Sequence, residues 1–306
     1  MNRTNVPSPA SETQPMAGVL TALTLGLDEF TPEMRKAASY VLENPNNVSV
    51  SSMREIAISA NVKPNTLVRL ARSVGFEGYE DFREPFREEI RRGSVTFPDR
   101  ARWLQSLGQS GKIGDLYRDM VSSAISNIED SFAGIDVESL KSAAEALLKS
   151  RQVFTLGVGV NSSNAQNFTY LASTGLVQFH AIPRNGSTPV DDLAWADHKD
   201  VLIAITLKPY RSEVVEAFTI AKEQGVHCIG ISDSPASPIV TAADHSFVVS
   251  ADTPQFFPSS VSTIALLETL LSFAIAIGPP EVVERVKRFH DRRHQLGLYH
   301  SDTMSE

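Results

Sequence analysis

The stretch SSMREIAISANVKPNTLVRLARSVGFEGYEDFRE, residues 51–84, decides the fold of the first part of the chain. Ser51 or Ser52 is a good cap for a first helix, and Asn61 and its neighbour form a tight connection. Pro64 suits the first turn of a second helix, which Gly75 ends. The apolar positions recur at helical spacing: Ile56, Ala57 and Ala60, then Leu67, Leu70, Ala71 and Val74. Two helices joined by a short turn predict a helix-turn-helix.

Positive charge is concentrated on the second of these helices. Between Ala60 and Gly75 the charged residues are three cations, with no acid among them. Phosphate neutralisation on DNA requires such a local concentration, although the whole chain is acidic. The predicted DNA-contacting residues are Lys63, Asn65, Thr66, Arg69 and Arg72. Arg69 suits bidentate guanine recognition and Arg72 the DNA backbone. The alternative is a three-helix packing domain whose charged face is only solvated.

Length and composition exclude several classes of protein. The chain has 306 residues, 28 Lys and Arg against 36 Asp and Glu, and a formal charge of −8, which excludes a histone-like or arginine-rich coat protein. The apolar fraction of 42% supports two ordered domains. The single cysteine, Cys228, excludes an internal disulfide and a cysteine zinc cluster, so we expect a cytoplasmic protein. No segment is apolar over the roughly 20 residues that a membrane span requires.

The second half of the chain alternates strand and helix patterns. Continuous apolar runs predict strands at 152–156, 177–182, 201–206, 226–231 and 246–250, with helical patterns at 163–173, 212–224 and 259–276. This alternation predicts a doubly wound α/β domain with a mainly five-stranded parallel sheet, following an all-α helix-turn-helix domain. In such sheets ligands bind at the carboxyl ends of the strands.

These motifs carry a resemblance to a known family. FTPEMRKAASYVLENP at residues 30–45, together with residues 51–84, is similar to the helix-turn-helix of the RpiR/MurR family of bacterial transcriptional regulators, although Phe30 stands where leucine is usual. The resemblance covers about Leu27–Arg92, and the α/β part, roughly Asp136–Ile277, resembles the sugar isomerase (SIS) domain that follows it in the family. It implies DNA binding by the first domain and sensing of a phosphorylated sugar by the second, with a change in operator affinity.

The domain boundaries follow from these patterns. We expect a flexible tail at 1–18, the helix-turn-helix domain at 19–93 and a linker with a helix at 94–130. The SIS-like effector domain is expected at 131–290, followed by a C-terminal tail at 291–306. Since operator sites usually pair two half-sites, a homodimer or a larger homo-oligomer is expected.

The candidate effector-binding residues lie in loops that follow predicted strands. Glycines and a helix start after the first strand favour an anion, and two cations after the third strand suit phosphate or a carboxylate. With the sugar ligand that the resemblance implies, the expected effector is a sugar phosphate or a sugar acid. Asn161 departs from the serine common in SIS domains, and the 206–212 loop lacks their usual glycine. Asn185–Thr188 is a further candidate rim. The candidates are Asn161, Ser162, Ser163, Thr206, Lys208, Tyr210, Arg211, Ser212, Ser232, Ser259 and Ser260. The alternative roles are plain turns, helix caps and, for Lys208 and Arg211, support of a dimer interface.

An enzyme is the second hypothesis. A sugar-phosphate isomerase needs a base at the sugar carbon, and Glu213 is the candidate, although it suits the first turn of a helix. The histidines at 180, 198, 227 and 245 lie in no recognisable catalytic motif. His290 and His294 have zinc-like spacing but are beside arginines, so no metal and no cofactor is expected. A third hypothesis is a ligand-binding module that no longer contacts DNA.

Overall fold

The computed structural model describes residues 15–91 and 97–299. The chain divides into two compact units. The helical unit comprises the described residues up to Ser123 together with Asp252–Phe257, and the sheet unit comprises Ala124–Ala251 and the described residues from Pro258. Each unit has its own hydrophobic core. The predicted boundaries at 18/19, 93/94 and 130/131 remain proposals.

The helical unit begins with a chain of short helices. Their bounds are α1(Met16–Gly26), α2(Pro32–Glu43), α3(Pro45–Val50), α4(Met53–Ser59), α5(Pro64–Ser73), α6(Tyr79–Arg91) and α7(Phe97–Gln109), and α8(Ile113–Ala133) follows. Side chains cap two of these helices: Thr31 accepts the N–H of Met34, and Ser52, one of the two predicted caps, forms a reciprocal capping box with Glu55. Helices α4 and α5 are the predicted helix-turn-helix pair. The turn between them contains Asn61 at φ 53°, a left-handed conformation that asparagine tolerates.

Helix α3 was not predicted. Proline is favoured at the first position of a helix, and Pro45 starts α3 directly after α2 ends. The guanidinium of Arg83 on α6 is buried and donates to the carbonyls of Val48 (2.8 Å) and Ser49 (2.9 Å) at the end of α3. A buried cation therefore joins α6 to this short helix.

The predicted linker also contains a packed helix. In α7, Trp103 and Leu107 are buried, and α7 packs against α3, so residues 97–109 belong to the helical unit. The buried guanidinium of Arg100 donates to the carbonyl of Thr253, and the ring of Phe97 stacks on that of Phe257 at 4.2 Å between centroids. The glycines at 108, 111 and 114 led to the linker prediction. In the structure, Gly108 lies within α7, Gly114 lies within α8, and Gly111 adopts φ 70° in the turn between the two helices.

The sheet unit is the predicted doubly wound sheet. Five parallel strands lie in the order β2-β1-β3-β4-β5. The strands are β1(Val153–Gly157), β2(Phe179–Ile182), β3(Val201–Ile205), β4(His227–Ser232) and β5(His245–Val248). The helices are α9(Val137–Lys149), α10(Val160–Ser173), α11(Pro189–Asp192), α12(Ser212–Glu223), α13(Pro238–Thr241), α14(Val261–Ile277) and α15(Pro280–Gln295). β3 is buried along its whole length, as the continuous apolar run predicted.

Smaller differences lie at element ends. β2 begins at Phe179 rather than at residue 177, and α1 begins at Met16 within the predicted N-terminal tail. The rest of that tail, residues 1–14, lies outside the described residues, as do Gly93 and residues 300–306. α15 continues to Gln295, so the start of the predicted C-terminal tail is helical. Cys228 is fully buried in β4, and burial raises the pKa of its thiol to about 12, which makes it a core residue.

No single helix within residues 15–91 and 97–299 is long and apolar enough to cross a membrane. Helices α14 and α15 meet the length and composition test only when counted together, across a bend of 116°.

Candidate functional site

The first candidate surface is the exposed side of α5. Lys63 at the start of the helix, Asn65 and Arg69 are exposed, and Thr66 is half-buried. Among the described residues, no side-chain hydrogen bond or ion pair engages Lys63, Asn65 or Arg69. Their donors therefore face solvent, as phosphate and base contacts require.

Arg72 is placed differently. Its Nε donates to the carbonyl of Glu77 at 3.1 Å, so part of this guanidinium ties the end of α5 to the following turn. Arg54 on α4 was not among the predicted residues, yet it is exposed on the first helix of the pair. Arg54 could have been predicted from the sequence, because the first helix of the pair crosses the DNA backbone in helix-turn-helix complexes.

The second candidate site lies where the strand order of the sheet reverses. β1 lies between β2 and β3, so the connections from β1 and from β3 leave in opposite directions. This is the topological switch point at which doubly wound sheets bind ligands, beyond the carboxyl ends of the strands. Gly157 pairs with Ile205 at these ends, so the 157–163 and 206–212 loops begin side by side.

Two helices begin at this edge without a side-chain cap. Gly159 is the N-cap of α10 and Arg211 the N-cap of α12, and neither N-cap residue caps its helix with a side-chain hydrogen bond. The hydroxyls of Ser162 and Ser163 instead donate to the carbonyls of Gly159 (2.7 Å) and Val160 (2.9 Å). Free N-terminal amides and the helix dipole favour an anion at such a position.

Backbone geometry requires glycine in the first of these loops. A Cβ on Gly157 would overlap the carbonyl of Asn161, and Gly159 adopts φ 63°. The Asn161 side chain is buried, and its Oδ1 accepts the Nδ2–H of Asn164 at 3.1 Å. Its amide group is therefore already partly engaged within α10.

One of the two cations of the second loop, Arg211, is paired with an acid. The guanidinium of Arg211 donates to both carboxylate oxygens of Glu213, at 2.7 and 3.2 Å. This pair lowers the pKa of Glu213, chiefly through the hydrogen bonds from Arg211. The backbone N–H of Lys208 donates to Asp233 at 3.2 Å, while the exposed Lys208 ammonium makes no ion pair within the described residues. Glu213 and Asp233 were not predicted as members of the site.

Two other predicted residues, Thr206 and Ser232, are brought together beside Arg211. The hydroxyl of Ser232 at the end of β4 donates to the carbonyl of Thr206 at 2.6 Å, and the backbone N–H of Arg211 donates to the Thr206 hydroxyl at 3.1 Å. Both Thr206 and Ser232 are buried, so they position the loop rather than face solvent. The hydroxyl of Tyr210 is buried and has no hydrogen-bond partner among the described residues, and Ser212 is exposed.

Ser259 and Ser260 are not joined to this group. Ser259 is buried, its N–H donates to Ala251 at 2.9 Å, and Ser260 is the N-cap of α14 without a side-chain cap. No hydrogen bond within the described residues links either serine to the loops after β1 and β3. The 185–188 rim is held by α11, because Ser187 donates to Asp192 at 2.9 Å and Thr188 to Asp191 at 2.7 Å.

The histidines of the sheet lie away from the switch point. His227 and His245 are the first residues of β4 and β5, His198 precedes β3, and His180 is the second residue of β2. Because all strands are parallel, these four side chains belong to the amino edge of the sheet. Nε2 of His227 is 2.9 Å from Nδ1 of His245, whose Nε2 is 2.9 Å from the Ser142 hydroxyl. No group of three or more metal-ligating side chains is present in the described part of the chain.

Comparison with known protein families matches both units. The helix-turn-helix domain of the rpiR family matches residues 17–93, and the SIS domain matches residues 146–275. Over 302 residues the chain is 25% identical to the HTH-type transcriptional regulator TTE0211 of Caldanaerobacter subterraneus, covering 92% of this chain and 98% of that protein. It is 23% identical to HexR of Pseudomonas aeruginosa, an HTH-type transcriptional regulator, over 74% of this chain and 77% of HexR.

Solved structures show the same fold. NanR of Vibrio vulnificus, complexed with ManNAc-6P, matches with a TM-score of 0.55 and 21% identity, over 91% of this chain and 98% of NanR. The sugar isomerase domain of an RpiR transcription factor from Sphaerobacter thermophilus matches with a TM-score of 0.54 and 25% identity, over 58% of this chain and 98% of that domain.

The two domains and their order define a helix-turn-helix transcriptional regulator. The chain has the architecture of the RpiR family, a helix-turn-helix domain of the rpiR type followed by a SIS domain. The predicted family and fold class are thereby confirmed.

Proposed function

We propose that the SIS domain of this regulator binds a phosphorylated or acidic sugar at the β1/β3 switch point and that binding changes the affinity of the helix-turn-helix for operator DNA. The observation that carries the proposal is the pair of uncapped helix starts, at Gly159 and Arg211, beside the Lys208 ammonium. NanR, which has the same fold, was solved with a phosphorylated sugar, and this supports a ligand of that class.

The chemistry of the loop defines how an anion is bound. The N–H groups at the starts of α10 and α12 are hydrogen-bond donors that the fold already holds in position. Binding an anion therefore loses little conformational entropy of the protein. Lys208 supplies an unpaired charge, and Arg211 supplies a fork that matches phosphate or carboxylate. Since Arg211 is paired with Glu213, the effector anion competes with that carboxylate for the guanidinium. Asn161, Ser162, Ser163, Tyr210 and Ser212 are the proposed polar contacts of the sugar, and Thr206 and Ser232 position the loop.

The DNA contacts proposed for α5 follow from exposure. Lys63, Asn65 and Thr66 begin the helix, where helix-turn-helix proteins approach base edges, and Arg69 lies about one turn further on. Arg72 contributes one side of its guanidinium to the DNA backbone, since its Nε is engaged with Glu77. A homodimer that places two such helices on two half-sites completes the proposal, and a bacterial regulator of this kind acts in the cytoplasm, where the chromosome is.

The effector changes DNA binding only through its different affinities for two arrangements of the regulator. If both arrangements bind the sugar equally, the operator affinity does not change, however tight the complex. Operator affinity measured with and without the sugar therefore gives the coupling free energy directly.

An isomerase activity is not favoured. A general base that works near neutral pH needs a raised carboxylate pKa, whereas that of Glu213 is lowered by its hydrogen bonds from Arg211. The histidines at 180, 198, 227 and 245 lie at the opposite edge of the sheet from the switch point. We therefore propose a sensor that releases its ligand unchanged.

The test is thermal stability against phosphorylated sugars, sugar acids and free sugars. A ligand at 100 times its dissociation constant adds about 2.7 kcal/mol to the free energy of unfolding. We expect one anionic class to stabilise the wild type, Arg211→Ala to lose that stabilisation, and Lys199→Ala, at the amino edge, to retain it. Stabilisation that survives Arg211→Ala, or that free sugars share, would overturn this site.

A further inference from the structure

The helical unit contains a cavity of its own, among α4, α6 and α7. Its volume is about 370 Å³, within the range of about 300–1,000 Å³ that small-molecule sites occupy. The start of α4, one face of α6 and the second half of α7 form its walls, and Lys112, in the turn before α8, completes them. Every lining residue belongs to the helical unit, so this cavity shares no residue with the switch point of the sheet.

Two buried hydrogen-bond donors line the cavity without a partner. Trp103 on α7 is 4% exposed, and its indole N–H has no hydrogen-bond partner among the described residues. The Nε–H of Arg87 on α6 is also buried and unpaired within the described part of the chain. Folded proteins pair nearly all of their buried polar groups. Two unpaired donors in the walls of one cavity therefore point to an acceptor that enters it.

The acids that line the cavity already have partners. The carboxylate of Glu55 accepts the backbone N–H of Ser52 at 2.6 Å in the capping box of α4. The carboxylate of Glu80 pairs with Nη2 of Arg87 at 3.0 Å. Lys112 is exposed, and its ammonium makes no ion pair within the described residues. The groups left for a ligand are thus donors and one positive charge.

The remaining walls are partly apolar. Leu107 on α7 is buried, and Met53, the first residue of α4, is half-buried. Together with the Trp103 ring, these side chains offer a surface to hydrocarbon. Small-molecule sites combine such an apolar lining with a few polar groups that orient the ligand. A bare inorganic anion would leave this apolar surface unused.

We propose that this cavity binds a small organic carboxylate with a short apolar body. The carboxylate accepts the unpaired N–H groups of Trp103 and Arg87 and is neutralised by Lys112, and the apolar body contacts Met53 and Leu107. Met53 belongs to the first helix of the helix-turn-helix pair, so this ligand contacts the DNA-binding unit itself. The site goes beyond the proposed sugar sensor and uses none of its residues.

The fluorescence of Trp103 reports on the site. The chain has two tryptophans, and Trp195 is 91% exposed, so Trp195→Phe leaves Trp103 as the only one in a folded chain. Hexanoate, benzoate and inorganic phosphate are titrated into this full-length variant. We expect a saturable change in Trp103 emission with at least one of the carboxylates, at a dissociation constant below about 10 mM, and no saturable change with phosphate.

Variants within the Trp195→Phe chain locate the response. Lys112→Gln is expected to raise the dissociation constant about three- to tenfold, because it removes the charge that neutralises the carboxylate. Ser106→Phe fills the cavity from α7 and is expected to abolish binding. Arg102→Gln is the matched control, because it removes one exposed positive charge from α7 outside the cavity. Helical circular dichroism and the unfolding temperature show that each variant is folded.

Three results would overturn the inference: no saturable response to either carboxylate, a response to phosphate at least as strong, or a response that Lys112→Gln and Ser106→Phe leave unchanged. The outcome is independent of the sugar site, since Arg211→Ala is expected to retain the Trp103 response. Absence of any stabilising sugar would refute the proposed function and leave this cavity standing. A sugar response without a carboxylate response would do the reverse.

Discussion

The guanidinium of Arg211 holds the carboxylate of Glu213 through two hydrogen bonds, Nη2 to Oε1 at 2.7 Å and Nε to Oε2 at 3.2 Å. Glu213, the partner of Arg211, thus lies in the first turn of α12, directly after Arg211 at the N-cap position. An anionic effector must either displace Glu213 or bind beside it, so the pair sets the affinity of the proposed site.

Removing the competing carboxylate is expected to strengthen effector binding. In Glu213→Gln the guanidinium loses its charged partner, and we expect the dissociation constant of the anionic ligand to fall about three- to tenfold, the range of a modest charge interaction at an exposed site. Titration calorimetry with the stabilising sugar measures it. Glu216→Gln, on the same helix and exposed, is the control. Weaker binding in Glu213→Gln would show that the carboxylate itself contacts the ligand, and detectable sugar interconversion lost in this variant would support the isomerase.

The exposed face of α5 gives the prediction for DNA. We expect Arg69→Ala to cost about 1–3 kcal/mol of specific binding and to relax discrimination at one base pair. Lys63→Ala is expected to weaken binding to all sequences and to lower the salt slope by about one. Fluorescence anisotropy with DNA from upstream of the gene or its neighbours measures both, and Arg102→Ala, an exposed cation on α7, is the control. Unchanged binding in Arg69→Ala and Lys63→Ala together would place the DNA contacts outside α5, and a wild type without affinity for DNA would favour a ligand-binding module that does not contact DNA.

The buried contact between Arg83 and α3 gives a prediction for stability. Arg83→Met leaves the carbonyls of Val48 and Ser49 without their charged donor, so we expect the free energy of unfolding to fall by about 2–4 kcal/mol. Denaturant unfolding followed by the helical signal measures this change. Arg102→Ala again serves as a control, because its guanidinium is exposed and pairs with Asp99, one turn away on the same helix. A loss below about 0.5 kcal/mol, the usual effect of a surface substitution, would mean that solvent replaces the contact.

His245 makes stability depend on pH at the amino edge of the sheet. Burial, and then the neighbouring His227, lower the pKa of His245 below its ordinary value of 6.5, while Asp244 acts in the opposite direction. The unfolded chain therefore binds this proton at a higher pH than the folded chain. The contribution of His245 is fully present above pH 6.5 and is lost as the pH falls toward the folded pKa.

The unfolding temperature is measured between about pH 7.5 and pH 5, in steps of about half a pH unit. We expect it to fall with pH below 6.5 in the wild type and to fall less steeply in His245→Gln. His198→Gln, at an exposed histidine of the same edge, should follow the wild type. A His245→Gln profile parallel to that of the wild type would assign the pH dependence to other groups.

Local sequence signals predicted the order of the helices and strands. They failed for helices that depend on contacts with distant parts of the chain. Thr31, Ser52 and Pro64 mark helix starts by their own chemistry, and the buried strands are visible as apolar runs. Helix α3 has six residues, too few for a periodic pattern, and depends on Arg83 from a distant helix. The sequence predicts a linker at the position of α7 because glycines lie nearby. In the structure, Trp103 and Leu107 on one face of α7 are buried.

The candidate site, too, was predictable only in part. Strand ends can be located from sequence, so the loops after β1 and β3 were predicted to carry the site residues. The partners of those residues could not be predicted. That Glu213 holds Arg211, that Asp233 holds the Lys208 N–H, and that Ser232 supports Thr206 all depend on how loops from different strands meet.

Residues 252–257 follow β5 in the chain and yet belong to the helical unit, where Arg100 and Phe97 contact them. The two units are consequently interleaved along the polypeptide. One crossover in the gene cannot exchange the sheet unit for another while leaving the helical unit whole, because residues 252–257 of the helical unit are encoded within the sheet unit. Recombination that changes the effector specificity must therefore preserve residues 252–257 or replace α7 along with them. The two units are consequently expected to be inherited together.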